Sequence, residues 1–202
     1  CPVPIFYRDD LEMAGDHSAE SSKTTHGTVE AVEACRVYGR MIAAAVNGLL
    51  KVEDFKRDYA ESIISILLQD IIDDLPDNIR QIVKGSFRDK AEEEISSSGY
   101  VVHSLEAALW GIANSNSFVE GVRKVVNLGD DADTIGAIYG QLAGALYGIE
   151  GIPEKWVSSA SKPECLNRIV DGLIYVPMKL NVAEKAHQQR IKFIGDSFLE
   201  KS

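Results

Sequence analysis

Asp130, Asp131, Asp133 and Thr134 crowd three carboxylates and a hydroxyl into the stretch NLGDDADTIGAIYGQLAGALYG, residues 127–148. A helix N-terminus carries unpaired N–H groups and a partial positive charge, so one aspartate there needs no special reason. Three are harder to accommodate. Two like charges about 5 Å apart repel by roughly 3 kcal/mol at an effective dielectric near 20. A solvated turn screens that repulsion; a buried one needs a cation. Carboxylates and a threonine hydroxyl form an oxygen-only donor set, which suits Mg²⁺, Mn²⁺ or Ca²⁺ rather than zinc. An EF-hand is excluded, because Ile135 takes the next ligand place and no glycine stands at the sixth. Taken alone, the turn reads first as a capped, solvated acidic corner.

The elements around this turn are helical. Residues 27–48 place Val29, Val32, Cys35, Val37, Ile42 and Val46 at helical spacing, with Gly48 as a stop. Residues 51–75 read as a second long helix ended by Pro76, and 77–99 as a shorter helix running into a solvated acidic stretch, Glu92 to Glu94. Residues 100–115 repeat apolar positions at 101, 102, 105, 108, 109 and 112, and Ser117 with Glu120 three places on forms a capping-box pattern before the next helix. Further helices are expected at about 163–176 and 181–199. No alternating pattern persists, so the expectation is an all-α, compact multi-helix bundle formed by one domain over 1–202. Gly136, Gly140, Gly144 and Gly148 recur every four residues. Each costs about 1 kcal/mol relative to alanine inside a helix, so the stripe predicts a neighbouring helix at close range and an acidic tip held inside the bundle.

The net charge of -10 and the pI near 4.9 argue against nucleic acid as a partner. Three cysteines make no even disulfide framework. Without a signal-peptide pattern or a membrane-length apolar run, the expectation is a cytoplasmic monomer with no membrane contact. The chain begins with Cys1 rather than Met, as a processed protein or a fragment would. Cys1 also suggests an N-terminal nucleophile hydrolase, with its own amine as base. Those folds are built on strands, and this sequence is helical.

Leu128-Gly129-Asp130-Asp131-Ala132-Asp133-Thr134-Ile135, then GAIYGQLAGALYG, then Ile152, Pro153 and Trp156, resembles the signature of the ADP-ribosylglycohydrolase family. That family's pattern runs Leu-Gly-Gly-Asp-Thr-Asp-Thr-Ile, then small residues, then Ile-Pro-x-x-Trp. GYVVHSLEAALW (99–110) and SSKTTHG (21–27) also look like family segments, in the right order. Two departures stand out: Asp130 replaces a glycine and Ala132 a threonine. The family's early Thr-Asp-Asp cluster has no counterpart, so the chain resembles the C-terminal part of a longer domain, with the catalytic residues themselves expected in the part that precedes it.

The resemblance implies hydrolysis at the anomeric carbon of the distal ribose of an ADP-ribosylated side chain or a small ADP-ribose adduct, with two divalent cations, Mg²⁺ or Mn²⁺. It implies that Asp131, Asp133 and Thr134 bind metal. Tyr100 would be a stacking wall for the adenosine part, Gly99 would admit phosphate or ribose closely, and His26 would lie near the cleft. His103 and Trp156 are expected in packing roles. The competing reading is a non-catalytic ADP-ribose binder or structural member that lacks half the metal shell.

Overall fold

The computed structural model describes residues 2–56 and 59–176. They fall into two units, one over 3–160 and a second from 161 onward together with Pro2. Among the described residues every regular element is helical, which agrees with the all-α expectation. The described part of the second unit is one helix, 163–176; the helix expected at 181–199 and Cys1 lie outside the described residues.

The first unit is organised on α3 (Val29–Val46), whose Thr28 accepts a cap bond from Ala31 N and whose chain leaves through Gly48 at φ 70°. Its buried side is lined by small and medium residues, including Ala34, Val37, Met41, Ile42, Ala44 and Ala45. Val29 and Val46, expected on the apolar stripe, are exposed instead, and Cys35 is half-buried. Two helices precede it, α1 (Pro2–Phe6) and α2 (Leu11–Lys23). The second packs so tightly on α3 that a Cβ on Gly39 would lie 2.3 Å from Ser18 Oγ. Asp10 caps α2 through Met13 N at 3.0 Å.

The helix expected over 51–75 departs from α geometry in its second half. The chain forms α4 (Val52–Lys56), α5 (Tyr59–Ile63) and a π-turn at Ile64–Leu68, and then turns irregularly to Pro76. Arg40, 3% exposed, donates to Leu67 O at 2.7 Å and grips Asp70 with both terminal nitrogens at 2.6 and 2.9 Å. A carbonyl taken by a guanidinium is withdrawn from the i→i+4 ladder, and just beyond Leu67 the helical run gives way to turns, with Ile71 N donating to Leu68 O instead.

The remaining elements are α6 (Asp77–Val83), a short 3₁₀ turn at Glu92–Glu94, α7 (Val101–Ala113), α8 (Phe118–Asn127), α9 (Ala132–Tyr147), a 3₁₀ turn at Ile149–Gly151, and α10 (Glu154–Ser158). Ser117 caps α8 through Glu120 N at 3.2 Å, while the Glu120 carboxylate reaches Asn116 N rather than closing the box on Ser117. Helices α7, α8 and α9 meet around Tyr139, which is fully buried and donates to Phe118 O at 3.3 Å. Two isolated glycines make room for that ring. A Cβ on Gly121 would fall 1.9 Å from Tyr139 Oη, and one on Gly111 would fall 2.3 Å from Val125 Cγ1.

The glycine stripe of α9 differs from expectation. Among the described residues, a Cβ on Gly140 or Gly144 would meet nothing within 4 Å; one on Gly136 would touch Val126 Cγ2 at 3.2 Å. Gly148 lies beyond the helix, at φ 69°. The buried face of α9 is the other one, Ile135, Tyr139, Leu142 and Ala143. The close-packing seams run through Gly39, Gly111 and Gly121, and the acidic tip of α9 is not enclosed by the described residues. No described helix is long and apolar enough to cross a membrane.

Candidate functional site

The turn entering α9 is shaped by backbone first. Gly129 and Asp130 take left-handed conformations in succession, φ 83° and 47°. Glycine enters that region freely, and aspartate is among the few other residues that tolerate it. The resemblance places glycine at 130, so Asp130 occupies a position selected for backbone shape. The turn is stitched to the loop before α7: Asp131 N donates to Ser97 O at 3.1 Å, and Ser97 Oγ to Leu128 O at 3.2 Å.

Asp131 is the first residue of that helix start, yet its carboxylate makes no cap bond to backbone. Oδ1 instead receives the Thr134 hydroxyl at 2.9 Å. Oδ2 lies beside Gly99, where a Cβ would come within 2.9 Å. Asp131 is half-buried, whereas Asp133 and Thr134 are exposed. A donating Thr134 hydroxyl leaves its lone pairs outward, so the donor set stays oxygen-only and suits a hard divalent cation in type. In number it falls short: among the described residues no three His, Cys, Asp or Glu side chains gather closely enough to hold a metal ion.

Tyr100, the N-cap of α7, is 42% exposed and stands next to Gly99. The Asn78 amide donates to its phenol oxygen at 3.3 Å and also to Glu30 Oε1. Hydrogen bonding with Glu30 raises the Tyr100 pKa and lowers that of Glu30. The ring meets His103 edge-on, with centroids 5.1 Å apart, and Ser98 Oγ holds His103 Nδ1 at 2.8 Å. His103 is thus a half-buried neighbour of Tyr100 rather than a core residue. His26 is exposed, and its hydrogen bonds stay within its own loop: Nδ1 with Thr25 Oγ1 at 3.0 Å, and its carbonyl from Ser22 Oγ at 3.0 Å. Trp156, 41% exposed, packs edge-on to Phe118 at 6.4 Å.

The structure therefore joins Asp131 with Thr134 and Gly99, and Tyr100 with two residues the sequence did not single out, Glu30 and Asn78. Glu30 reads in sequence as an ordinary acid in a first helical turn and Asn78 as an ordinary turn residue. Their meeting with Tyr100 depends on the tertiary placement of α3, α6 and α7.

A family model for ADP-ribosylglycohydrolase matches residues 1–186. The chain belongs to the ADP-ribosylglycohydrolase family. Among relatives of this ADP-ribosylglycohydrolase chain, the ADP-ribosylarginine hydrolase Tri1 of Pseudomonas putida is 36% identical over 172 residues, covering 85% of this chain and 43% of that protein. The ADP-ribosyl-[dinitrogen reductase] glycohydrolase of Rhodospirillum rubrum is 42% identical over 80 residues, 39% of this chain and 27% of that protein. A solved structure described as an ADP-ribosylglycohydrolase-related protein complex superposes with a TM-score of 0.71 at 33% identity, covering 87% of this chain and 57% of that one. The chain thus spans less than half the length of the two ADP-ribosylarginine hydrolases it matches, 43% and 44%.

Proposed function

We propose that this chain supplies the C-terminal part of a metal-dependent hydrolase that removes ADP-ribose from a modified protein side chain. Arginine is the favoured linkage, because two relatives that cover 85% and 87% of this chain are named for ADP-ribosylarginine. The observation that carries the reading is the Asp131 carboxylate. It begins a helix without capping it, is oriented by Thr134, and lies beside a residue with no side chain. A plain capping aspartate would spend its oxygens on backbone N–H groups.

In this reading Asp131, Asp133 and Thr134 hold divalent cations, Mg²⁺ or Mn²⁺, together with acidic residues outside the described set. Such ions supply orientation of ribose hydroxyls and of water, and stabilisation of developing charge. The bond between the anomeric carbon and the side-chain nitrogen breaks through an oxocarbenium-like state; water adds its oxygen to that carbon, and a proton goes to the leaving guanidine. Gly99 leaves space for the ribose, and the ring of Tyr100 offers a stacking wall for the adenosine part. His26, at the rim of α3, borders the cleft.

The test is release of ADP-ribose from an ADP-ribosyl-arginine protein by the intact gene product with Mg²⁺ or Mn²⁺, with an ADP-ribosyl-serine substrate alongside. Metal-dependent release that is lost in Asp131→Asn supports the proposal; release from the serine substrate alone would reassign the linkage. The sparse acidic set among the described residues favours one rival, a non-catalytic ADP-ribose binder. Saturable binding of ADP-ribose without turnover under any metal would establish that rival.

A further inference from the structure

The starts of three helices, far apart in sequence, are joined through one side-chain amide. Glu30 lies in the first turn of α3, Asn78 in the first turn of α6, and Tyr100 is the N-cap of α7. The direction of the Asn78 amide is fixed by its surroundings. Its Oδ1 accepts from Ile79 N at 2.9 Å, so the NH₂ group faces the other way, and its two hydrogens go to Glu30 Oε1 and to Tyr100 Oη. Glu30 reaches the phenol through that amide, which it anchors on one hydrogen while the other holds Tyr100 Oη. The hydroxyl of Tyr100 is therefore held by an amide that is itself fixed, and what remains for a ligand is the ring.

That ring is braced at its edge as well, by His103 at 88°. Hydrogen bonds this exposed add little to fold stability, since water competes for every partner. Their effect is on orientation. An unrestrained surface tyrosine samples several rotamers, and freezing one of them on binding costs affinity.

We propose that Glu30 and Asn78 are positioning residues for Tyr100: they clamp its hydroxyl so that the ring is already set as the stacking wall before ADP-ribose arrives. The inference rests on the proposed role of Tyr100 in binding ADP-ribose. It adds that affinity at this wall is governed by two side chains that need not touch the ligand.

A double-mutant cycle in the intact protein tests it, read by calorimetric titration with ADP-ribose and by thermal melting. Asn78→Ala, Glu30→Ala and Tyr100→Phe are each expected to weaken ADP-ribose binding about three- to tenfold. Their melting temperatures should stay within about 2 °C of wild type. Tyr100→Phe keeps the ring and removes the hydroxyl, so adding Asn78→Ala to it should cost no further affinity. Undiminished affinity in Asn78→Ala overturns the proposal, as does an Asn78→Ala penalty of the same size in the Tyr100→Phe background, which would mean direct contact with ligand. A variant that melts well below wild type would make the role structural and also overturn it. Wild-type protein that binds no ADP-ribose defeats the functional reading and this role together. The clamp itself is read without ligand from the tyrosine Cζ NMR signal that Tyr100→Phe deletes, which should move in Glu30→Ala.

Discussion

Gly99 and Asp131 are so close that a methyl group on the first would stand 2.9 Å from Oδ2 of the second. The same carboxylate receives the Thr134 hydroxyl on its other oxygen. An alanine at 99 can be admitted only by turning the carboxylate, which costs the fold little because a side-chain end yields more easily than backbone. Gly99→Ala is therefore expected to melt within about 2 °C of wild type. It should weaken Mn²⁺-dependent ADP-ribose binding by about tenfold, because it misorients a ligand without deleting it. Unchanged binding in a calorimetric titration would detach Gly99 from the site.

Asp130 makes a separate prediction from the same turn. At φ 47° it holds a conformation that costs an ordinary L-residue about 1 kcal/mol and costs glycine nothing. Asp130→Gly is expected to leave metal binding intact and to hold or raise stability, by at most about 1 kcal/mol, since glycine's greater freedom in the unfolded chain offsets part of the gain. A loss of metal affinity in Asp130→Gly would instead make Asp130 a ligand.

The pairing of Arg40 with Asp70 sets a pH dependence of stability. Hydrogen bonds from Arg40, with its charge adding, hold the Asp70 carboxyl below its ordinary 3.8 against a smaller opposing effect of burial. A folded-state pKa below the unfolded one means that the pair's stabilisation is complete above about pH 4 and is lost as pH falls through the depressed folded value. The carboxylate is 57% exposed, so solvent screening keeps the contribution to about 1 kcal/mol. Urea midpoints should show Asp70→Asn less stable than wild type by that amount at pH 7, with the gap narrowing toward pH 3. A gap that widens on acidification would contradict the sign.

Helix content, a cap and the acidic turn were legible in the sequence because each rests on local chemistry: Ser117 as a cap, Gly48 as a stop, Asp131 and Thr134 a single turn apart. Contacts between distant segments were not. Arg40 reads as one more charge on a long helix, and only the packed fold shows it taking the Leu67 carbonyl where a run that otherwise looks continuous gives way to turns. Glu30 and Asn78 carry no pattern of their own, whereas His26 stands out in sequence beside a recognisable threonine pair. The four-residue glycine repeat was the most conspicuous packing signal, yet among the described residues the close seams run elsewhere, because repetition is visible in a sequence and a single close approach is not.

That contrast yields the last prediction. Gly121 and Gly144 both lie inside helices, and both lose helix propensity relative to alanine, by about 1 kcal/mol. At Gly121 a new Cβ would strike Tyr139 Oη at 1.9 Å, and the ring has no room to retreat, with Gly111 behind it and Phe118 beside it. Overpacking of this kind outweighs the propensity gain, so Gly121→Ala is expected to destabilise by about 1–3 kcal/mol. At Gly144 no described atom lies within 4 Å of the new Cβ, and the propensity gain stands alone: Gly144→Ala should stabilise by about 0.5–1 kcal/mol. Denaturant unfolding of the two variants side by side measures both signs. If Gly144→Ala destabilises as strongly as Gly121→Ala, the open face of α9 is covered in the intact protein by a segment beyond the described residues.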